Sequence, residues 1–302
     1  MIIPSSLKAG DKVGLVATAR KISLREIEPA IAILKDWGLQ PIIGKTIGSE
    51  HFQFAGDDES RRNDFQQMLN DDSIRAILFA RGGYGTVRII DEVDWRKFLK
   101  RPKWLCGFSD ITAIHSHLLS VYEVASVHSL MAINFETASA DSLESLHNIL
   151  FGDRFQYKIP SSSLYHARHA TGILCGGNLS LLCSLAATPS DIDTDDKILF
   201  IEDIDEHLYH LDRMMMQLKR SGKLENLAAL MVGHFTDMKN KDENNPFGKS
   251  AYEIIAGHVA EYDYPVCFGF PAGHEPDNRA LVMGMEWELI PGDVPEFRMV
   301  ES

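Results

Sequence analysis

The apolar run Ile74-Arg75-Ala76-Ile77-Leu78-Phe79 passes straight into Ala80-Arg81-Gly82-Gly83-Tyr84-Gly85-Thr86, and a helical pattern follows at 87–93. A short apolar run closed off by glycines reads as a buried strand. Three glycines within four positions permit positive φ and let backbone amides approach a bound group closely. A helix N-terminus just beyond adds donors and a partial positive charge. The same alternation extends in both directions. Upstream, 12–17 (KVGLVA) is a strand, 24–37 an amphipathic helix with Ile27, Ile31, Leu34 and Trp37 on one face, and 41–43 the start of another strand. Downstream, 103–108 (KWLCGF) and 125–128 are strands, with helices at 111–122 and 140–151. Such alternation builds a mostly parallel sheet with helices on both faces, and ligands gather at the carboxyl ends of its strands.

The pattern lapses over 152–169, where Pro160-Ser161-Ser162-Ser163 marks a connector. Beyond it, strands at 198–201 and 229–232 flank a helix at 208–220. A helix at 251–262 and short strands at 266–270, 280–283 and 286–290 follow. The expected organisation is α/β, with a first domain over 1–152, a linker over 153–168 and a smaller α+β domain over 169–302.

A chain of 302 residues, 45% apolar and 24% charged, has ample material for one or two full cores. Thirty Lys and Arg against forty-three Asp and Glu give a net charge of -13. That balance repels phosphate backbones and anionic lipid, so neither nucleic acid nor membrane is an expected partner. A carboxylate-bearing ligand would need a local basic or amide-lined pocket. Cys106, Cys175, Cys183 and Cys267 sit in apolar runs without CxxC or zinc spacing, and read as buried free thiols of a reducing compartment. The first residues lack a basic-then-apolar leader, and no run approaches the length of a membrane span. The expectation is a cytoplasmic protein.

Several stretches carry chemistry-bearing residues. The 81–86 loop is either an anion cradle or oxyanion hole, or a tight turn without a ligand. Gly107-Phe108-Ser109-Asp110-Ile111-Thr112 places a serine where a strand runs into a helix, as in a nucleophile elbow, although Ile111 stands where GxSxG has its second glycine. The plain alternative makes Ser109 or Asp110 an ordinary N-cap. In Ile198-Leu199-Phe200-Ile201-Glu202-Asp203-Ile204-Asp205-Glu206, Glu202 is the first polar residue off a buried strand, placed to orient a histidine. Glu206 is alternatively a first-turn acid of the next helix. His274 lies on the Gly/Pro-rich loop 270–278 after a strand. His207 and His210 share a helix face but lack an HExxH context, so no metal site is expected. Gly176-Gly177-Asn178 precedes an apolar helix, and Asn178 either lines a pocket or caps that helix.

Together these segments resemble the LD-carboxypeptidase family, the serine peptidases that include muramoyltetrapeptide carboxypeptidase and the microcin C self-immunity peptidase. The likeness runs from Leu7-Lys8-Ala9-Gly10-Asp11-Lys12-Val13-Gly14 through RGGYGT, GFSDIT, GGNLSLL and ILFIEDIDE to Gly273-His274. It implies a flavodoxin-like N-terminal domain with the nucleophile Ser109, and a C-terminal domain with Glu202 and His274, so that the triad spans the domain interface. It also implies an oxyanion hole from the amides of Gly85 and Asp110, with Gly83, Tyr84, Asn178 and Glu206 as further substrate contacts. The implied reaction needs no cofactor and releases D-alanine from cytoplasmic murein tetrapeptides during peptidoglycan recycling; the implied assembly is a homodimer. A microcin-type branch would instead cleave an aminoacyl-nucleotide toxin. A third reading, a non-catalytic anion- or nucleotide-binding module, leaves Ser109, Glu202 and His274 unexplained. Two departures from the family pattern border the pocket: Thr18-Ala19-Arg20-Lys21 and His128-Ser129-Leu130-Met131.

Overall fold

A computed structural model describes residues 1–153, 156–160, 163–242 and 244–300. The strands are β1 (Lys12–Val16), β2 (Gln40–Ile43), β3 (Ile74–Phe79), β4 (Trp104–Gly107), β5 (Ser126–His128), β6 (Gln156–Lys158), β7 (Leu164–Tyr165), β8 (Ala170–Asn178), β9 (Ile198–Ile204), β10 (Ala229–Thr236), β11 (Val266–Phe268), β12 (Leu281–Met283), β13 (Glu286–Ile290) and β14 (Glu296–Met299). The helices are α1 (Glu28–Asp36), α2 (Asp58–Asn70), α3 (Arg96–Lys100), α4 (Thr112–His117), α5 (Ala140–Phe151), α6 (Leu179–Leu185), α7 (Leu208–Arg220) and α8 (Ala251–Val259). They form a mixed α/β architecture of two sheets.

The first sheet runs β12-β5-β4-β3-β1-β2. Its strands are parallel except β12, which pairs antiparallel with β5 through Leu281↔His128 and Met283↔Ser126. In β3, Ile77 and Phe79 face one core while Ala76 and Leu78 face another. Both faces are covered, which explains a nearly continuous apolar run in place of alternation. The strand order reverses at β1, which has β2 on one side and β3 on the other, so the loops after β1 and β3 flank a crevice.

The second sheet runs β6-β14-β13-β8-β9-β10-β11-β7 and is parallel over its central β8-β9-β10-β11. α7 packs on it through Leu211, Met214, Met215 and Leu218, a one-sided helical spacing.

Several elements differ from expectation. Residues 87–93 form two 3₁₀ turns, Thr86–Arg88 and Ile90–Glu92, not an α-helix. Their buried Thr86, Ile90 and Val93 recur at three to four residues over too short a span to sustain more. The helix expected at 111–122 is an opening 3₁₀ turn, α4 and a closing π turn over Leu118–Tyr122. Within 153–168, Gln156–Lys158 pairs with β14 and Leu164–Tyr165 with β11; Ser161 and Ser162 of the expected connector lie outside the described residues. The late strand β12 belongs to the first sheet. Cys106, Cys175 and Cys267 are buried, while Cys183 is only half-buried; burial pushes the Cys175 and Cys267 thiols up to about 12. Among the described residues, no helix is long and apolar enough to cross a membrane.

Candidate active site

β4 ends at Gly107, Phe108 is extended, and Ser109 turns the chain with φ +61 into the 3₁₀ turn that opens α4. Few residues with a side chain adopt that left-handed backbone, and it turns the half-buried Ser109 sharply off the strand end. The turn is braced from below. The Gly107 carbonyl accepts from His115 Nε2 at 2.8 Å, which leaves His115 Nδ1 to accept from the Ser126 hydroxyl at 2.8 Å. Burial drives His115 down to about 4, so it is a neutral brace.

The glycine loop lies against this turn. A Cβ added to Gly82 would stand 3.3 Å from Ser109 Cβ and 3.4 Å from its Oγ. The fully buried Asp110 carboxylate accepts from the Thr86 amide at 2.9 Å and faces the Thr86 hydroxyl and the Gly85 amide. Burial raises the Asp110 pKa, while these hydrogen bonds and Arg61 oppose the rise. Arg61 is buried too: its guanidinium donates to the Gly85 carbonyl at 3.0 Å, to the Thr18 carbonyl and to Asp58, and lies 4.9 Å from the centre of the Phe54 ring. The Gly85 carbonyl is thus held by Arg61, and Gly82 is the glycine of the loop that lies against the serine. Arg20 lies over Gly83, where an added Cβ would be 2.6 Å from its side chain. Tyr84 is half exposed at the rim, 6.1 Å from the Phe54 ring.

Glu202 and His274 come together from β9 and the loop after β11. His274 Nδ1 donates to Glu202 Oε2 at 2.7 Å. The Glu202 side chain is fully buried and that of His274 is 15% exposed. Burial lowers the His274 pKa, but the Glu202 charge and hydrogen bond, with Asp203 and Glu275, outweigh it and the net direction is upward. The His274 ring packs on Phe108, the residue before Ser109, with centroids 4.7 Å apart. The imidazole thus sits beside the serine turn although 165 residues separate them in the chain (274 − 109).

Other expected contacts have local partners. Asn178 lies opposite Glu202 in the β8–β9 register, but its side chain donates to Asp203 at 2.8 Å and caps α6 through Leu181 N at 3.2 Å. Its own amide donates to Thr112 Oγ1 at 2.9 Å, tying the second sheet to the serine turn. Gly177, at φ +140, permits that approach, since a Cβ there would lie 2.5 Å from Thr112 Oγ1. Glu206 accepts from Ser180 Oγ at 2.8 Å and pairs with His210. Arg61, Asp203 and Asn278 were not singled out in the sequence. Asp203 is pushed up to about 6, first by burial and then by the Glu202 charge. Its place after Glu202 in ILFIED was a signal; Arg61, inside a very polar helix, offered none. Among the described residues, no group of three or more His, Cys, Asp or Glu could hold a metal ion.

The arrangement offers a strained serine beside backbone amides and an imidazole fixed by a buried carboxylate. Residues 13–129 match the LD-carboxypeptidase N-terminal domain and 171–289 the LD-carboxypeptidase C-terminal domain. A probable murein peptide carboxypeptidase of Bacillus subtilis is 34% identical over 93% of this chain and 89% of its own. The crystal structure of muramoyltetrapeptide carboxypeptidase from Oxalobacter formigenes superposes with TM-score 0.85 at 28% identity, covering 96% of this chain and 99% of that one. The microcin C7 self immunity protein shares the fold, with TM-score 0.89 at 19% identity over 100% of this chain and 99% of its own. Both domains match in order and the identity extends through nearly the whole length: the chain belongs to the LD-carboxypeptidase family of peptidases.

Proposed function

We propose that this protein is a serine LD-carboxypeptidase that releases terminal D-alanine from murein tetrapeptides in the cytoplasm, during peptidoglycan recycling, and works as a homodimer. The observation that carries the reading is the His274–Glu202 hydrogen bond of 2.7 Å beside a serine turned at φ +61. In this reading the first domain, 1–152, supplies the nucleophile, and the unit beyond the 153–168 linker, 169–302, supplies the base and its carboxylate.

Ser109 Oγ attacks the scissile carbonyl while His274 Nε2 takes its proton. Glu202 keeps the proton of Nδ1 in place and stabilises the imidazolium that forms. The Asp110 amide and an amide of the 82–85 glycine loop, that of Gly85 or of Gly82 beside the serine, receive the developing oxyanion, an effect of roughly 3–4 kcal/mol per donor. The intermediate collapses, D-alanine departs with the proton from His274, and an acyl-enzyme ester remains. Water, deprotonated by the same imidazole, attacks the ester; collapse returns the proton to Ser109 and frees the shortened peptide. Arg20, over Gly83, is a cation at the loop and a candidate partner for the D-alanine carboxylate.

The test is D-alanine release from a purified murein tetrapeptide, with Ser109→Ala measured beside the wild type. Release in the wild type, reduced by a factor of about 10³ or more in the variant, supports both reaction and nucleophile. Full release by Ser109→Ala would sink the serine assignment. An inactive wild type that cleaves an aminoacyl-nucleotide instead would move the substrate to the microcin-type branch.

A further inference from the structure

The loop that carries His274 is held less by its own sheet than by the first domain. Ser139, Ser142 and Ser145 occupy one side of the first turns of α5, and each takes hold of the segment after His274. The Ser139 amide donates to the Pro276 carbonyl at 2.8 Å and its hydroxyl to Asp277 Oδ1 at 3.0 Å. Ser142 Oγ accepts from the Asn278 amide at 2.7 Å, and Ser145 Oγ from the Ala280 amide at 2.9 Å. Ser142, Ser145 and Asn278 are all buried, so these bonds do not compete with solvent. Inside the loop, Asn278 Oδ1 accepts from the Gly273 amide at 2.9 Å, and the Arg279 amide closes the base by donating to the Pro271 carbonyl at 2.8 Å. Gly273 has φ +128, open to glycine alone, and an added Cβ would stand 3.1 Å from Glu202 Oε2. A continuous path therefore runs from α5 through Ser142 and Asn278 to Gly273, the residue that aims His274.

We propose that Asn278, anchored by Ser142, is a positioning residue for the reaction: it fixes the Gly273 backbone so that His274 meets Ser109 in register with the first domain. The inference rests on the serine-hydrolase reading above. It differs from mere loop closure in one respect: a slack loop that still folds would bind substrate normally and transfer the proton poorly.

The experiment compares the full-length wild type with Asn278→Ala, Asn278→Asp, Ser142→Ala and Ser109→Ala, reading kcat and KM for D-alanine release from a murein tetrapeptide and the melting temperature of each. Asn278→Ala should lower kcat by about 10- to 100-fold, the scale of a small misplacement of a catalytic group, with KM within about twofold. Asn278→Asp keeps the acceptor for the Gly273 amide and should return kcat to within about fivefold of wild type, and Ser142→Ala should fall between. If Asn278→Ala does not fold, the kcat and KM of Ser142→Ala decide the matter alone. A wild-type kcat in the variants, a loss confined to KM, or Asn278→Asp as slow as Asn278→Ala would overturn the positioning role. Activity surviving in Ser109→Ala would overturn the serine reading and this inference with it. An inactive Ser109→Ala beside an unimpaired Asn278→Ala would overturn this inference only.

Discussion

Ser109 holds its left-handed backbone at a cost on the order of 1–3 kcal/mol, and its neighbours show what offsets it. Asp110 is tied to Thr86, Gly107 to His115, and Phe108 is packed beneath His274. At the same scale, two glutamates four residues apart have unlike surroundings. Glu202 is enclosed and bonded to His274, whereas Glu206 serves Ser180 and His210. Glu202→Gln puts an amide where Nδ1–H needs an acceptor and favours the wrong tautomer or orientation. It should lower kcat by roughly 10³- to 10⁴-fold, against less than about threefold for Glu206→Gln. Steady-state rates for the pair check this, and the opposite ranking would transfer the acidic role to Glu206.

Among the elements, α4 carries a titration that the fold resists. His115 is driven to about 4 by burial, below an ordinary histidine near 6.5. Above 6.5 it is neutral in both folded and unfolded chains and contributes no pH dependence. Between 6.5 and 4 the unfolded chain takes a proton that the folded chain refuses, so stability falls with pH by about 3 kcal/mol from this group. Urea unfolding of wild type and His115→Gln from pH 7 to 4 should show their stability difference changing by about that amount; parallel curves would mean that His115 titrates normally. The elements themselves were legible where burial is simple. β3 and α5 have the bounds read from the sequence, because apolar residues mark their buried faces. α2 was not legible, since its inward stripe includes Arg61 and Asp64, which are satisfied by Thr18, Gly85 and Thr46. β8 was hidden by Gly176-Gly177, a pair that reads as a turn but here lets a strand lie close to Phe200 and Thr112. The residues of the site were visible as strand-end polar groups. Which of their neighbours have other partners, as Asn178 does in Asp203, depends on contacts between segments far apart in sequence.

At the scale of the whole molecule, the chain crosses back. After forming most of the second sheet it returns at β12 to complete the first, and the Asn178–Thr112 and Asn278–Ser142 bonds join the two halves on either side of the site. The first sheet is not complete without β12, a strand from the second half. Calorimetry should therefore record one cooperative unfolding transition, with calorimetric and van't Hoff enthalpies in agreement; two resolved transitions would show the halves to be independent. The crossing also sets an order of events during synthesis. Domains fold from the N-terminus as the ribosome extrudes them, yet here the edge of β5 stays open until residues 281–283 emerge. Until then the nascent first half presents an unpaired strand to other chains, the period in which holdase protection matters most. The histidine loop emerges just before that strand and is pinned by the α5 serines, so closure of the edge and assembly of the site both wait on the same stretch of chain, residues 274–283.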